Sequence, residues 1–165
     1  MKRILIFCFV CLPLLASAQK ILTGDLKFLL TEHKLGTSID FSQAQMAGGQ
    51  ENGRAQIEAY LVLDSTYILK RFYSGVANEL EDRYFLYGDQ PEARYEAVVH
   101  VQQVTDNGKT WSTVDFIDRE TQQVVCTAQL IGSGGRIGTF LNLWGDGMKD
   151  SGEALGKLIK KNTKK

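Results

Sequence analysis

RYEAVVHVQQVTDNGKTWSTVDFIDRETQQVVCTAQLI, residues 94–131, is the stretch that decides the fold. Between Arg94 and Thr105 the side chains alternate. Tyr95, Ala97, Val99 and Val101 fall on one side of an extended chain, and Glu96, His100 and Gln102 on the other, because successive residues of a strand project to opposite faces. Asp106-Asn107-Gly108-Lys109 then supplies a turn: a two-residue hairpin loop needs positive φ at both central positions, which Asn and Gly tolerate best. With Asn107-Gly108 as that turn, Val99 faces Phe116, Val101 faces Val114 and His100 faces Asp115. A strand over 111–117 runs into the polar stretch Asp118-Arg119-Glu120-Thr121-Gln122 and returns over 123–131, where Val124, Cys126, Ala128 and Leu130 share a face. Keeping the apolar residues together across this second hairpin sets Cys126 beside Val114 and buries it. The opposite face carries Glu96, His100, Gln102, Trp111, Thr113, Asp115, Thr127 and Gln129. Such a sheet turns one side to a core and the other to water or a partner.

Downstream, Gly132-Ser133-Gly134-Gly135-Arg136-Ile137-Gly138 leads into a final helix over 140–161. Its stripe is Leu141, Met148, Leu155 and Ile159, with Trp144 adjacent and Gly145, Gly152 and Gly156 interleaved. Each glycine costs a helix about 1 kcal/mol relative to Ala, so three of them beside an apolar stripe point to close backbone approach, the helix lying on the sheet. Upstream, residues 51–83 hold no proline, and Ile57, Leu61, Ile68, Phe72, Val76 and Leu80 recur at helical spacing with Tyr60 and Tyr67 beside them. That pattern predicts a long amphipathic helix with an irregularity at Gly75. Residues 84–87 read as a short strand before the turn Gly88-Asp89-Gln90-Pro91. Residues 37–46 read as the first strand, with Ile39 and Phe41 on one face and a loop at Gly48-Gly49. The expected fold is α+β and two-layered: a mainly antiparallel sheet of about four strands with the long helix and the C-terminal helix on one face.

Residues 1–18 read as an export signal. Lys2 and Arg3 form a basic start, residues 4–15 an apolar run, and Ala16-Ser17-Ala18 a small-residue cleavage site. The run is shorter than the ~20 residues of a spanning helix, and no second run approaches that length. Of the 165 residues, the 147 from Gln19 onward then form a single domain, 19–165, with an N-terminal extension over 19–36 and a frayed tail over 162–165. The signal takes two of the 19 basic residues, leaving 17 against 19 acidic ones, so nothing marks a nucleic-acid binder. It also takes Cys8 and Cys11, so Cys126 has no intrachain partner, and Gln19 stands where a lipoprotein needs its lipid-acceptor cysteine. The expected location is exported, periplasmic or extracellular.

No constellation specifies a reaction, a cofactor or a metal. Counting from Gly132, the third position of a G-x-G-x-x-G fingerprint falls on Ile137, and the Gly-Lys-Ser/Thr of a P-loop is absent. The amides of Gly134 and Gly135 beside Arg136 are candidate anion contacts at a helix start. His100 and Asp115 form an acid–base pair without a nucleophile, Thr113 and Thr127 being poor stand-ins. His33 in Glu32-His33-Lys34 has no metal-ligand spacing around it. Glu79, Glu81, Asp82 and Asp89 lack the spacing of a calcium loop and read as a solvated helix end. Lys157, Lys160, Lys161, Lys164 and Lys165 suit a helix C-terminus and offer a peripheral contact for anionic lipid.

In its order of elements, with the turns at Asp-Asn-Gly-Lys and Asp-Arg-Glu-Thr and Gly-Ser-Gly-Gly-Arg-Ile-Gly before a glycine-containing helix, the chain resembles a group of small secreted bacterial proteins of unknown function. Their α/β domain is similar to domains of outer-membrane assembly and secretion factors. The resemblance spans about residues 37–160, is best over 113–161, and implies an envelope location, an interaction role and no catalytic residue. The expected function is therefore non-enzymatic: binding or assembly in the cell envelope with an envelope-protein partner. Trp111, His100, Asp115, Thr113 and Thr127 are the expected contact face, Trp111 foremost as a large aromatic anchor. The alternative is a periplasmic carrier of a small apolar or anionic ligand, held between the sheet and the long helix where Tyr60, Tyr67, Phe72 and Tyr73 cluster.

Overall fold

Alternation builds the centre of the molecule, and crossover by a helix builds its flank. The computed structural model describes residues 19–48, 52–80 and 86–163. Residues 1–18, read as an export signal, and Gly49, Glu81, Asp82, Tyr84, Lys164 and Lys165 lie outside the described residues. The elements in order are β1 (Gln19–Gly24), β2 (Lys34–Asp40), β3 (Gln45–Met46), α1 (Gly53–Leu80), β4 (Leu86–Gly88), β5 (Tyr95–Val104), β6 (Thr110–Asp118), β7 (Gln123–Gly132) and α2 (Phe140–Asn162). A 3₁₀ turn, Lys27–Leu30, lies between β1 and β2.

The α+β class holds, but the sheet has seven mixed strands rather than about four antiparallel ones, in the order β1-β7-β6-β5-β2-β4, with β3 also on β5. The antiparallel part is β1, β7, β6 and β5. β2 and β3 run parallel to β5, and β4 parallel to β2. Parallel neighbours need a long crossover, which α1 provides after β2 and β3. The segment 19–36 carries β1 at the outer edge of β7 and buries Leu26, Leu29 and Leu35 in the core. The expected strand over 37–46 divides into β2 and β3, with a turn between them closed by the Ala44 N–H on the Phe41 carbonyl.

The β5–β6 loop is longer than two residues. Gly108 N–H donates to the Thr105 carbonyl, Thr105 N–H donates to the Lys109 carbonyl, and Gly108 sits at φ 78°. This is a type I turn closed by a left-handed glycine. Pairing therefore slides by two residues: Val99 faces Val114 and His100 faces Thr113, with an extra residue at Gln102. A two-residue slide keeps every side chain on its expected face. In the second hairpin Cys126 pairs with Phe116, and Val114 with Ala128.

The covered face holds Ala97, Val99, Val114, Phe116, Cys126, Ala128 and Leu130, all fully buried. Trp144 and Met148 of α2 are equally buried, and the Phe41 ring meets Trp144 edge-on at 5.9 Å. The glycines of α2 divide between two neighbours, a finer arrangement than a helix simply lying on a sheet. Gly147 abuts the Gly108 carbonyl of the hairpin, whereas Gly152 and Gly156 abut Phe72 and Glu79 of α1. The irregularity in α1 is at Asp64 (φ −160°, ψ 71°), not at Gly75. Asp64 Oδ1 accepts the Tyr67 N–H at 2.9 Å, so it caps the second half of the helix. Gly75 is regular and lies against the Lys149 carbonyl.

Candidate functional site

With both helices on one face, the polar face of the sheet stays open. A row of hydrogen bonds and one ion-pair contact crosses four adjacent strands there. Asp40 ends β2 and lies in register with His100 of β5. Asp40 Oδ2 is 3.0 Å from His100 Nδ1, and His100 Nε2 is 3.5 Å from Asp115 Oδ2 of β6. Asp115 Oδ1 in turn accepts the Thr127 hydroxyl of β7 at 2.6 Å. At the other end, Ser42 donates its N–H and hydroxyl to Asp40 at 2.8 and 2.9 Å. The Ser42 N–H first, then the His100 ring and the Ser42 hydroxyl, hold the Asp40 carboxyl below its ordinary range against a desolvation effect.

Beside this row lies a concavity of about 700 Å³, lined by Gln43, Gln45, His100, Gln102, Gln103, Trp111, Thr113, Asp115 and Gln129. Five of these residues are glutamines, whose amides both donate and accept. Its aromatic wall is Trp111, half-buried, with Lys109 Nζ 4.7 Å from the ring centroid. A second polar cluster fastens the far end of the same face. Arg119 donates to the Gln90, Pro91 and Ala93 carbonyls and to Glu96, whose other oxygen accepts from Ser38.

Of the expected contact residues, Trp111, His100, Asp115 and Thr113 line the concavity, and Thr127 anchors Asp115 from the next strand. His100 and Asp115 meet diagonally across the register. Reading the sequence missed Asp40, because nothing local announces that β2 runs parallel beside β5. Its one signal was the alternation that sets Asp40 opposite Ile39 and Phe41.

The glycine-rich turn is occupied by the protein itself. Gly135 N–H donates to the Asn107 carbonyl at 3.0 Å, Gly134 packs on residues 107–109, and Arg136 projects into solvent. Among the aromatics read as a ligand cluster, Phe72 is fully buried, Tyr73 donates its hydroxyl to the Thr37 carbonyl, Tyr60 packs on Phe140 and Tyr67 on Gly145. Lys157 and Lys160 pair with Glu79. His33 is exposed. Cys126 is buried, and desolvation first, then Asp25 and Asp115, push its thiol up to about 11. Among the described residues, no group of three or more His, Cys, Asp or Glu side chains could hold a metal ion, and no helix is long and apolar enough to cross a membrane.

No protein-family model matches the sequence, and no curated protein matches it. Solved structures similar in the course of the chain include the following three. A point variant of PelC from Paraburkholderia phytofirmans, a dodecamer, is 17% identical with a TM-score of 0.43, covering 85% of this chain and 95% of that one. A second PelC dodecamer from the same organism is 13% identical with a TM-score of 0.43, covering 84% and 96%. A Xanthomonas campestris protein described under the DUF330 family model is 9% identical with a TM-score of 0.40, covering 75% and 81%.

Proposed function

We propose that this chain is an exported, non-enzymatic binding or assembly protein of the bacterial cell envelope, and that its working surface is the open face of the sheet. The observation that carries the reading is the one-sided sheet. Its helices cover only the apolar face, and its polar face presents the concavity walled by Trp111. A sheet face lined with amides and a half-buried indole suits a polar macromolecular partner, with the aromatic as the anchor of a wet interface. Both ring nitrogens of His100 are directed at carboxylates rather than at a hydroxyl or thiol, which supports binding over catalysis. Export rests on the reading of residues 1–18 as a signal.

The test is in-cell cross-linking of the protein in its native host, followed by fractionation and mass spectrometry of the captured species. The expected result is one reproducible envelope protein, cross-linked through the open face and lost in Trp111→Ala at unchanged stability. A Trp111→Ala variant that keeps both its partner and its stability removes this surface from consideration.

A further inference from the structure

The row Asp40–His100–Asp115 contains one more carboxylate than a neutral imidazole can satisfy. A neutral ring has one N–H and one bare nitrogen, whereas an imidazolium has two donors. Here both nitrogens face carboxylate oxygens, Nδ1 at 3.0 Å from Asp40 and Nε2 at 3.5 Å from Asp115. The groups around the ring are Asp40 from β2, Asp115 and Thr113 from β6, and Gln102 on its own strand, with Thr127 of β7 and Ser42 holding the two carboxylates from behind. Other charged groups beside the row are engaged: Glu96 by Arg119, Lys109 over Trp111, and Arg54 by the Phe41 and Ser42 carbonyls and Glu58.

We propose that this row is a proton-operated switch on the open-face concavity, closed when His100 is charged and open to a hydrogen-bond-donating group of the partner when His100 is neutral. In the charged state His100 donates to Asp40 and stands as the ion-pair partner of Asp115, so the row's charges offset one another. Loss of one proton leaves the N–H on Nδ1, at the shorter contact with Asp40. Nε2 and Asp115 Oδ2 then stand side by side as two acceptors on the concavity wall. Two adjacent acceptors select an ammonium, guanidinium, amide or hydroxyl donor. Asp40 and Thr127 keep the ring and the carboxylate in place, so the change is one of donor and acceptor character and needs no strand movement.

The inference rests on the open face being the binding surface, and its test separates the two. Long-range proton–nitrogen NMR of the full-length mature protein, followed from pH 5 to 8.5, reports the ring nitrogens directly. Expected are two protonated nitrogens in acid and the Nδ1–H tautomer in base, with the Thr127 amide moving through the same transition and losing that movement in Asp115→Asn. A neutral ring protonated on Nε2, or a Thr127 amide that ignores the titration, overturns the switch. A photoreactive residue introduced at Gln102, whose chemistry does not depend on pH, then measures capture from envelope extract. Capture should rise roughly fivefold between pH 5.5 and 8 and be flat in His100→Gln. Capture that is equal at both pH values removes the gating and leaves the binding surface intact. No capture at either pH removes the binding surface and the switch with it.

Discussion

Gly152 stands against α1 where a methyl group has no room. A Cβ there would meet the Phe72 carbonyl oxygen at 2.0 Å, and one on Gly75 would meet the Lys149 carbonyl oxygen at the same distance. Both obstacles are backbone, so relief requires the two helices to separate along their whole contact. Gly152→Ala should cost about 3 kcal/mol, the upper part of the range for overpacking a core, measured by urea unfolding; a cost near zero would show that the helices part freely. Cys126 supplies a residue-scale prediction of a different kind. With its thiol pushed up to about 11 by burial, roughly one molecule in a thousand carries the thiolate at pH 8. An aromatic disulfide reagent should leave Cys126 untouched in the native protein and modify it fully in denaturant, as read by peptide mapping. The sign for stability follows from the same shift. A folded-state value above the unfolded one keeps its contribution below the unfolded thiol value and loses it as pH rises toward 11. The alkaline limb should therefore flatten in Cys126→Ala.

Between elements, specific polar contacts fix the geometry that alternation leaves free. Asp64 starts the second half of α1 by accepting the Tyr67 N–H, and Asp64→Ala should cost about 1 kcal/mol by the same unfolding measurement. Asp118 ends β6 opposite Tyr95 and is bonded by Arg94. The Arg94 guanidinium, then the Glu120 N–H, hold its carboxyl below the usual range against desolvation. A depressed carboxyl contributes above its unfolded value near 3.9 and loses that contribution as pH falls through the folded one. Asp118→Asn should accordingly remove part of the acid-induced loss of stability below pH ~4; an unchanged acid limb would show the pair to be inert. These contacts also mark what was legible. The β5, β6 and β7 faces could be read because their signal is period two and local, and the two-residue slide left those faces unchanged. β2 beside β5, and with it Asp40 beside His100, could not be read, since parallel pairing leaves no turn in the sequence. β1 was hidden for a related reason: its short run carries only Ile21 toward the core side and exposes Leu22.

Across the whole molecule, stability and the candidate site are distributed together. The row from Ser42 to Thr127 uses only β2, β5, β6, β7 and the turn after β2; β5, β6 and β7 have neighbours on both sides, whereas β2 pairs with β4 only over Lys34–Gly36 and with β5 alone at Asp40. β1 has a single neighbour and an irregularity between Ile21 and Thr23, and β4 has three residues. Edges with few partners open first, while a central strand opens only with the core. Native-state hydrogen exchange should therefore show the inner amides of β5 and β6 exchanging at the global unfolding rate and those of β1 roughly a hundredfold faster. Equal protection across the sheet would mean that β1 unfolds only with the rest, and that segment 19–36 belongs to the cooperative core. With the expected gradient, fraying of β1 leaves His100 and Asp115 undisturbed, because β5 and β6 lie inside the part that opens last, and Asp40 is held by its pairing with His100 and by Ser42. The proposed recognition surface draws its rigidity from β5 and β6, which lie at the centre of the sheet.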